Sequence, residues 1–139
     1  MLRRSIKELC KADHGDDPLR LGPWLANKTP ENVAAWIRAN PGGFLVAIGP
    51  DGIGAVGMVT LNGEIRLNYV SPSARFRGAT KGLLRAMEAH AAKCGATACT
   101  ALSTQTAHQF YQRCGYTDTG PPVQSFAGTL AFPVRRQLG

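Results

Sequence analysis

The dipeptide Asn62-Gly63 constrains this chain more than any other pair of its residues. Asn-Gly is the preferred centre of a two-residue hairpin turn, because both residues tolerate positive φ and the turn's twist matches that of the strands it joins. The segments on either side, Gly54 to Leu61 and Glu64 to Val70, carry the apolar and β-branched residues of strands. Phe44 to Ile48 is another short apolar run, set off by the turn Pro50-Asp51-Gly52. Three successive antiparallel strands are therefore expected in the middle of the chain.

The periodicity changes after Pro72. Leu83, Leu84, Met87, Ala91 and Cys94 mark one face of a helix over about 79 to 94, with Lys81, Arg85 and Glu88 on the other, and Gly95 ends it. Ala96 to Leu102 reads as a strand, residues 105 to 114 as a short helix, Tyr116 to Thr119 as an extended piece, and Phe126 to Val134 as a last strand. Upstream, Thr29-Pro30-Glu31 supplies an N-cap, a first-turn proline and an early acid for a helix through Val33, Trp36 and Ile37, which Asn40-Pro41-Gly42-Gly43 stops. The first 28 residues are the least legible. At 139 residues, 44% hydrophobic and 18% charged, the chain can bury one core, so two large domains are excluded, disorder is not expected, and a single domain over 1–139 of the α+β (mixed α/β) class is expected.

Sixteen Lys and Arg against nine Asp and Glu leave a net charge of +7, which points to an anionic partner. The excess is concentrated. Residues 65–117 hold Arg66, Arg75, Arg77, Lys81, Arg85, Lys93 and Arg113 against Glu88 alone, so an anion is expected there. No segment approaches the ~18 apolar residues of a membrane span and none resembles a secretory leader, which reads as a cytoplasmic chain with no membrane partner. His90, Cys94 and Cys99 are spaced so that zinc is conceivable. Four cysteines without a CxxC pair nevertheless read better as small buried hydrophobes, and no metal is expected.

The most informative segment runs from Val70 to Leu84: a strand end, a proline turn, Arg75 and Arg77, then Gly78 before a helix start. A helix N-terminus presents unpaired N–H groups and about half a positive charge, which makes it a phosphate cradle. Gly78 would admit close approach, Thr80 a hydroxyl, and Arg75, Arg77 and Lys81 charge. Val70, Pro72, Arg75, Gly78, Leu83 and Leu84 match V-x-P-x-x-[Q/R]-x-x-G-x-[G/A] and the Leu-rich helix after it. This segment resembles motif A of the GNAT superfamily of acyl-CoA N-acyltransferases. Ala107, Phe110-Tyr111 and Gly115-Tyr116 resemble the family's later A-x-x-F-Y…G-[F/Y] segment. The resemblance spans about 44–119, with Phe76, Thr80 and Thr104 standing where Gly, Gly or Ala, and Asn are common.

The resemblance implies a twisted mixed sheet with helices on both faces, splayed between two central strands that hold the arm of acetyl-CoA. It implies acetyl transfer to a primary amine of a small molecule or protein, with Tyr69, Val70, Arg75, Phe76, Arg77, Gly78, Ala79, Thr80, Lys81, Thr104, Ala107 and His108 around the cofactor. Tyr111 takes the place of the family's general acid. Glu64, six residues before Val70, takes that of the base in its histone-acetyltransferase branch, although water alone serves many members. Homodimers are common in the family. Trp24 and Trp36 are candidates for the acceptor wall, Trp36 fitting a core better, and Asp16 and Asp17 for a cationic acceptor. Two other readings stand beside it: a catalytically silent CoA-binding domain, and a basic nucleic-acid-binding domain, for which too few aromatics interleave with the cations.

Overall fold

The computed structural model describes residues 1–40, 42–74, 78–125 and 129–139. Short helices α1 (Leu2–Leu9), α2 (Lys11–His14) and α3 (Pro18–Ala26) open the chain, followed by α4 (Pro30–Ala39). Strands β1 (Phe44–Gly49), β2 (Gly52–Val59) and β3 (Glu64–Val70) come next, then a 3-10 turn at Pro72–Ala74 and helix α5 (Ala79–Lys93). Strand β4 (Ala98–Ser103), helix α6 (Gln105–Arg113) and strands β5 (Thr117–Asp118), β6 (Val123–Gln124) and β7 (Leu130–Gln137) complete it.

The described strands form a seven-stranded sheet in the order β1-β2-β3-β4-β7-β5, with β6 also on β7. The expected meander is present: β1 to β3 are antiparallel neighbours, pairing Val46 with Val56 and Val56 with Tyr69. Gly63 takes φ 87° in the turn, and a Cβ there would lie 2.1 Å from the Ala98 carbonyl oxygen, so glycine is required twice over. Between β3 and β4 the pairing is parallel, because α5 carries the chain back across the sheet. It holds only at Glu64 with Thr100 and Ile65 with Ala101. Beyond those residues the two strands diverge.

The larger core joins the buried face of α5 (Leu83, Leu84, Met87, Ala91) to Ala55, Val59 and Ile65 of the sheet and to Tyr111, Cys114 and Tyr116. A smaller one gathers Ile6, Cys10, Trp24 and Leu25 against Tyr69, so the illegible N-terminal segment is three helices folded onto the end of β3. Some expectations need correcting. Trp36 is only half-buried, since α4 buries no residue, and Trp24, 2% exposed, is the core tryptophan. Glu88 is buried rather than on an outer face: Arg85 (2.8 Å) and Arg136 (3.1 Å) pair with it and Tyr116 donates to it at 2.7 Å. The last strand begins at Leu130 in the described residues, and the expected start at Phe126 lies outside them.

Candidate active site

A strand pair that opens after two rungs leaves backbone and side chains unpaired at its C-terminal end, where the helices that follow each strand begin. Here a cleft of about 530 Å³ occupies the opening between β3 and β4, bounded by the first turns of α5 and α6. That volume lies in the range of small-molecule sites. Tyr69, Val70, Gly78, Thr80, Lys81, Thr104, Ala107 and Tyr111, all expected from sequence, line it together. Ala79 packs against the core instead, and His108 stacks on Phe132 at 4.2 Å and pairs with Asp118 at 2.8 Å, outside the lining. Arg75, Phe76 and Arg77 lie outside the described residues.

The two helix N-termini differ. At α6, Thr104 accepts from the Ala107 N–H (3.2 Å), and the buried Asp13 carboxylate accepts from Gln105 (2.6 Å) and Thr106 (3.1 Å) backbone N–H groups and from the Thr106 hydroxyl. The positive end of α6 is thus already answered by an anion. At α5 the cap is Gly78, in the left-handed region at φ 79°, and among the described residues no side chain caps the helix. Its first-turn N–H groups remain for an external anion, with Lys81 exposed at the cleft edge; Thr80 stands inside this turn rather than at the cap. Sequence reasoning missed Asp13, whose α6 partners lie 92 and 93 residues away.

A second cavity of about 490 Å³ adjoins the cleft at the splayed strands. It shares eight residues with the cleft, Tyr69, Leu102 and Thr104 among them, and adds others, including Trp24, Lys28, Glu64 and Thr129. The two cavities therefore share part of their walls at the opening. Glu64 lies in the second, at the paired end of β3, half exposed and 3.4 Å from Arg66 Nε. Trp24, whose indole N–H donates to the Tyr69 hydroxyl at 3.2 Å, walls that chamber, and Trp36 stands outside its lining with the Lys28 ammonium 5.9 Å above its ring. Burial lowers the Lys28 pKa. Asp17 caps α3 by accepting from Leu19, and Asp16 is exposed.

Tyr111 and Tyr116 lie in contact, ring centroids 5.2 Å apart, and have opposite hydrogen bonding. Tyr116 gives its proton to the Glu88 carboxylate. Tyr111 instead accepts, from the Asn68 side-chain N–H at 3.0 Å, which leaves its own proton directed elsewhere. Burial pushes the Tyr111 hydroxyl up to about 12, the Asn68 bond pulling the other way. The Asn68 carbonyl oxygen is buried and, among the described residues, makes no hydrogen bond, an arrangement that costs about 1–3 kcal/mol. Cys10, Cys99 and Cys114 are buried, while Cys94 is exposed with its sulfur 3.7 Å from His90 Nε2. No cluster of three or more metal-ligating side chains occurs among the described residues, and no helix among them is long and apolar enough to cross a membrane.

The family model for the acetyltransferase (GNAT) domain matches residues 28–138. No curated protein sequence matches the chain. Among solved structures it is similar to the GCN5-related N-acetyltransferase (aminotransferase, class II) of Rhodopseudomonas palustris, at 22% identity and a TM-score of 0.82 over 98% of this chain and 84% of that one. It is also similar to PaiA N-acetyltransferase of Thermoplasma acidophilum in complex with coenzyme A, at 15% identity and TM-score 0.73 over 98% and 90% of the two chains. Naa20 of Chaetomium thermophilum in complex with a bisubstrate analogue aligns at 20% identity and TM-score 0.62 over 96% and 80%. These likenesses show the fold; with the family match across most of the chain, and a mixed sheet splayed where that fold requires it, the chain belongs to the GNAT acetyltransferases and is an acyltransferase.

Proposed function

We propose that the chain transfers an acetyl group from acetyl-CoA to a primary amine of a small molecule or protein, the donor entering the 530 Å³ cleft and the amine the adjoining 490 Å³ cavity. The observation that carries this reading is the contrast between the two helix ends. One cleft flanked by two N-termini would offer phosphate two cradles, but Asp13 fills one, and the uncapped α5 turn with Gly78, Thr80 and Lys81 fits a pyrophosphate. Arg75 and Arg77, just before that turn in sequence, supply further charge. Tyr69, Val70, Thr104 and Ala107 line the path of the pantetheine arm between the strands.

Acyl transfer then needs a neutral amine and a proton for the departing sulfur. The amine nitrogen bonds to the carbonyl carbon as the carbon–sulfur bond breaks, and the sulfur takes the Tyr111 proton. The surplus proton on nitrogen leaves through water to Glu64, which lines the acceptor cavity, and solvent returns one to the tyrosine. The acyltransferase fold and the ion pairs that already engage Arg66 and Arg85 favour this reading over a nucleic-acid surface.

The test joins binding to turnover. Acetyl-CoA at a hundred times its Kd adds about 2.7 kcal/mol to stability, a rise in Tm of at least about 5 °C for a chain of this size. Thiol release from acetyl-CoA is then followed with 1,4-diaminobutane, lysine and a peptide with an unblocked amino terminus. A Tm rise with amine-dependent release is expected. A Tm rise with no release from a broad amine panel would favour the silent CoA-binding domain, and a salt-sensitive shift with oligonucleotides alone would overturn both.

A further inference from the structure

We propose that Asn68 is the positioning residue that arms Tyr111, its side-chain N–H holding the phenol oxygen so that the hydroxyl proton points to the departing sulfur. The proposal rests on the reading of Tyr111 as the acid and adds the residue through which the acid is made available. Asn68 sits on β3 beyond the last rung shared with β4, opposite Gly57 of β2, and lines the cleft with Tyr111. A phenol has one proton and two lone pairs. Once one lone pair accepts from Asn68, the proton is directed away from that contact, and no side chain among the described residues takes it.

Tyr116 shows the other arrangement in the same cluster. Its hydroxyl donates to a buried carboxylate that also pairs with two arginines, so its proton is committed to the fold. Of two neighbouring tyrosines, the partner decides which can act as an acid: an amide donor leaves the proton available, and a carboxylate acceptor removes it. Asn68 also carries a cost with no structural return, since its carbonyl oxygen is buried without a partner. An apolar residue would suit that position on a strand better, and a buried orphan of this kind calls for a functional reason. A hydrogen bond from Asn68 to the phenol strengthens as negative charge develops on the oxygen, so it serves the transition state more than the ground state.

The experiment follows thiol release from acetyl-CoA with the most active of the three amines above, for the wild type, Asn68→Leu, Tyr111→Phe and the double variant. Asn68→Leu is expected to lower kcat about tenfold, roughly the worth of one hydrogen bond, while its Tm changes little, because the orphaned carbonyl is gone but the buried Tyr111 hydroxyl loses its donor. KM for acetyl-CoA should stay within about twofold, as uniform binding is not lost. Tyr111→Phe should lower kcat by about a hundredfold, and the double variant should be no slower than Tyr111→Phe alone. Asn68→Asp keeps the side-chain shape and adds the acceptor that Tyr116 has in Glu88, so its kcat should fall at least as far; it decides the matter if the leucine variant does not fold. Wild-type kcat in the Asn68 variants beside a slow Tyr111→Phe would overturn the role of Asn68 alone, as would equal losses from Asn68→Leu in both backgrounds. Wild-type kcat in Tyr111→Phe would instead overturn the acid assignment beneath it.

Discussion

A proton must leave one side of this site and arrive on the other, and the two residues proposed for it have different surroundings. Glu64 is half exposed beside Arg66, where water reaches it, whereas Tyr111 is buried and keeps its proton to about 12. Activity should therefore rise with pH as the acceptor amine loses its proton, then level off, with no fall until pH approaches 12, because the protonated phenol is the working form. Glu64→Gln should lower kcat/KM at neutral pH about tenfold, the loss shrinking at higher pH as solvent base takes over. A full pH–rate profile of both enzymes checks this, and a flat ratio between them would remove Glu64 as the base. Stability follows the same sign: a tyrosine that ionises near 10 when unfolded and near 12 when folded contributes fully below pH 10, and that contribution is lost as pH rises toward 12.

Helix α6 carries Tyr111, and its first turn is held from the far end of the chain by Asp13. Asp13→Ala would leave two first-turn N–H groups without their acceptor and detach α2 from α6, a loss of about 2–3 kcal/mol by urea unfolding. Because α5 keeps its own N-terminus, acetyl-CoA affinity should change less than kcat; a variant with unchanged stability would mean that the N-terminal helices dock without this contact. Such contacts explain which elements were legible. The meander follows from Asn62-Gly63, and α5 from an apolar stripe that Gly95 stops, since both signals are local. The N-terminal helices are short and α3 contains Pro23, so no period develops; their packing depends on Tyr69, Gln105 and Thr106. Glu88 was misplaced for the same reason, because Arg136 and Tyr116 reach it from later strands and loops. The amphipathic pattern of α4 is present, yet it buries no residue, so periodicity marked the helix without showing whether anything covers it.

Across the molecule, the +7 excess resolves into pairs and remainders. Arg85 and Arg136 share Glu88, Arg66 has Glu64 and Arg4 has Glu8. Of the mid-chain cations in the described residues, Lys81 and Arg113 line the cleft and have no ion pair there. Both stand at the end of the sheet where α5 begins, and Arg75 and Arg77 adjoin that helix in sequence. Lys7, Lys11, Arg20, Arg38, Lys93 and Arg135 also make no ion pair among the described residues, but at the cleft the cations stand beside a helix N-terminus, a combination that serves one compact anion. Replacing Arg75 and Arg77 together with Ala should raise the Kd for CoA about tenfold, each cation contributing on the order of 0.5–1 kcal/mol. The amine's KM should hold, since the acceptor enters from the other chamber. Titration calorimetry at two salt concentrations gives a second reading: wild-type affinity should weaken from ~0.05 to ~0.5 M salt as screening shortens, and the double variant should weaken less. If the variant binds CoA as the wild type does and keeps its full salt dependence, the phosphates sit elsewhere, and Lys81 and Arg113 become the cations to replace.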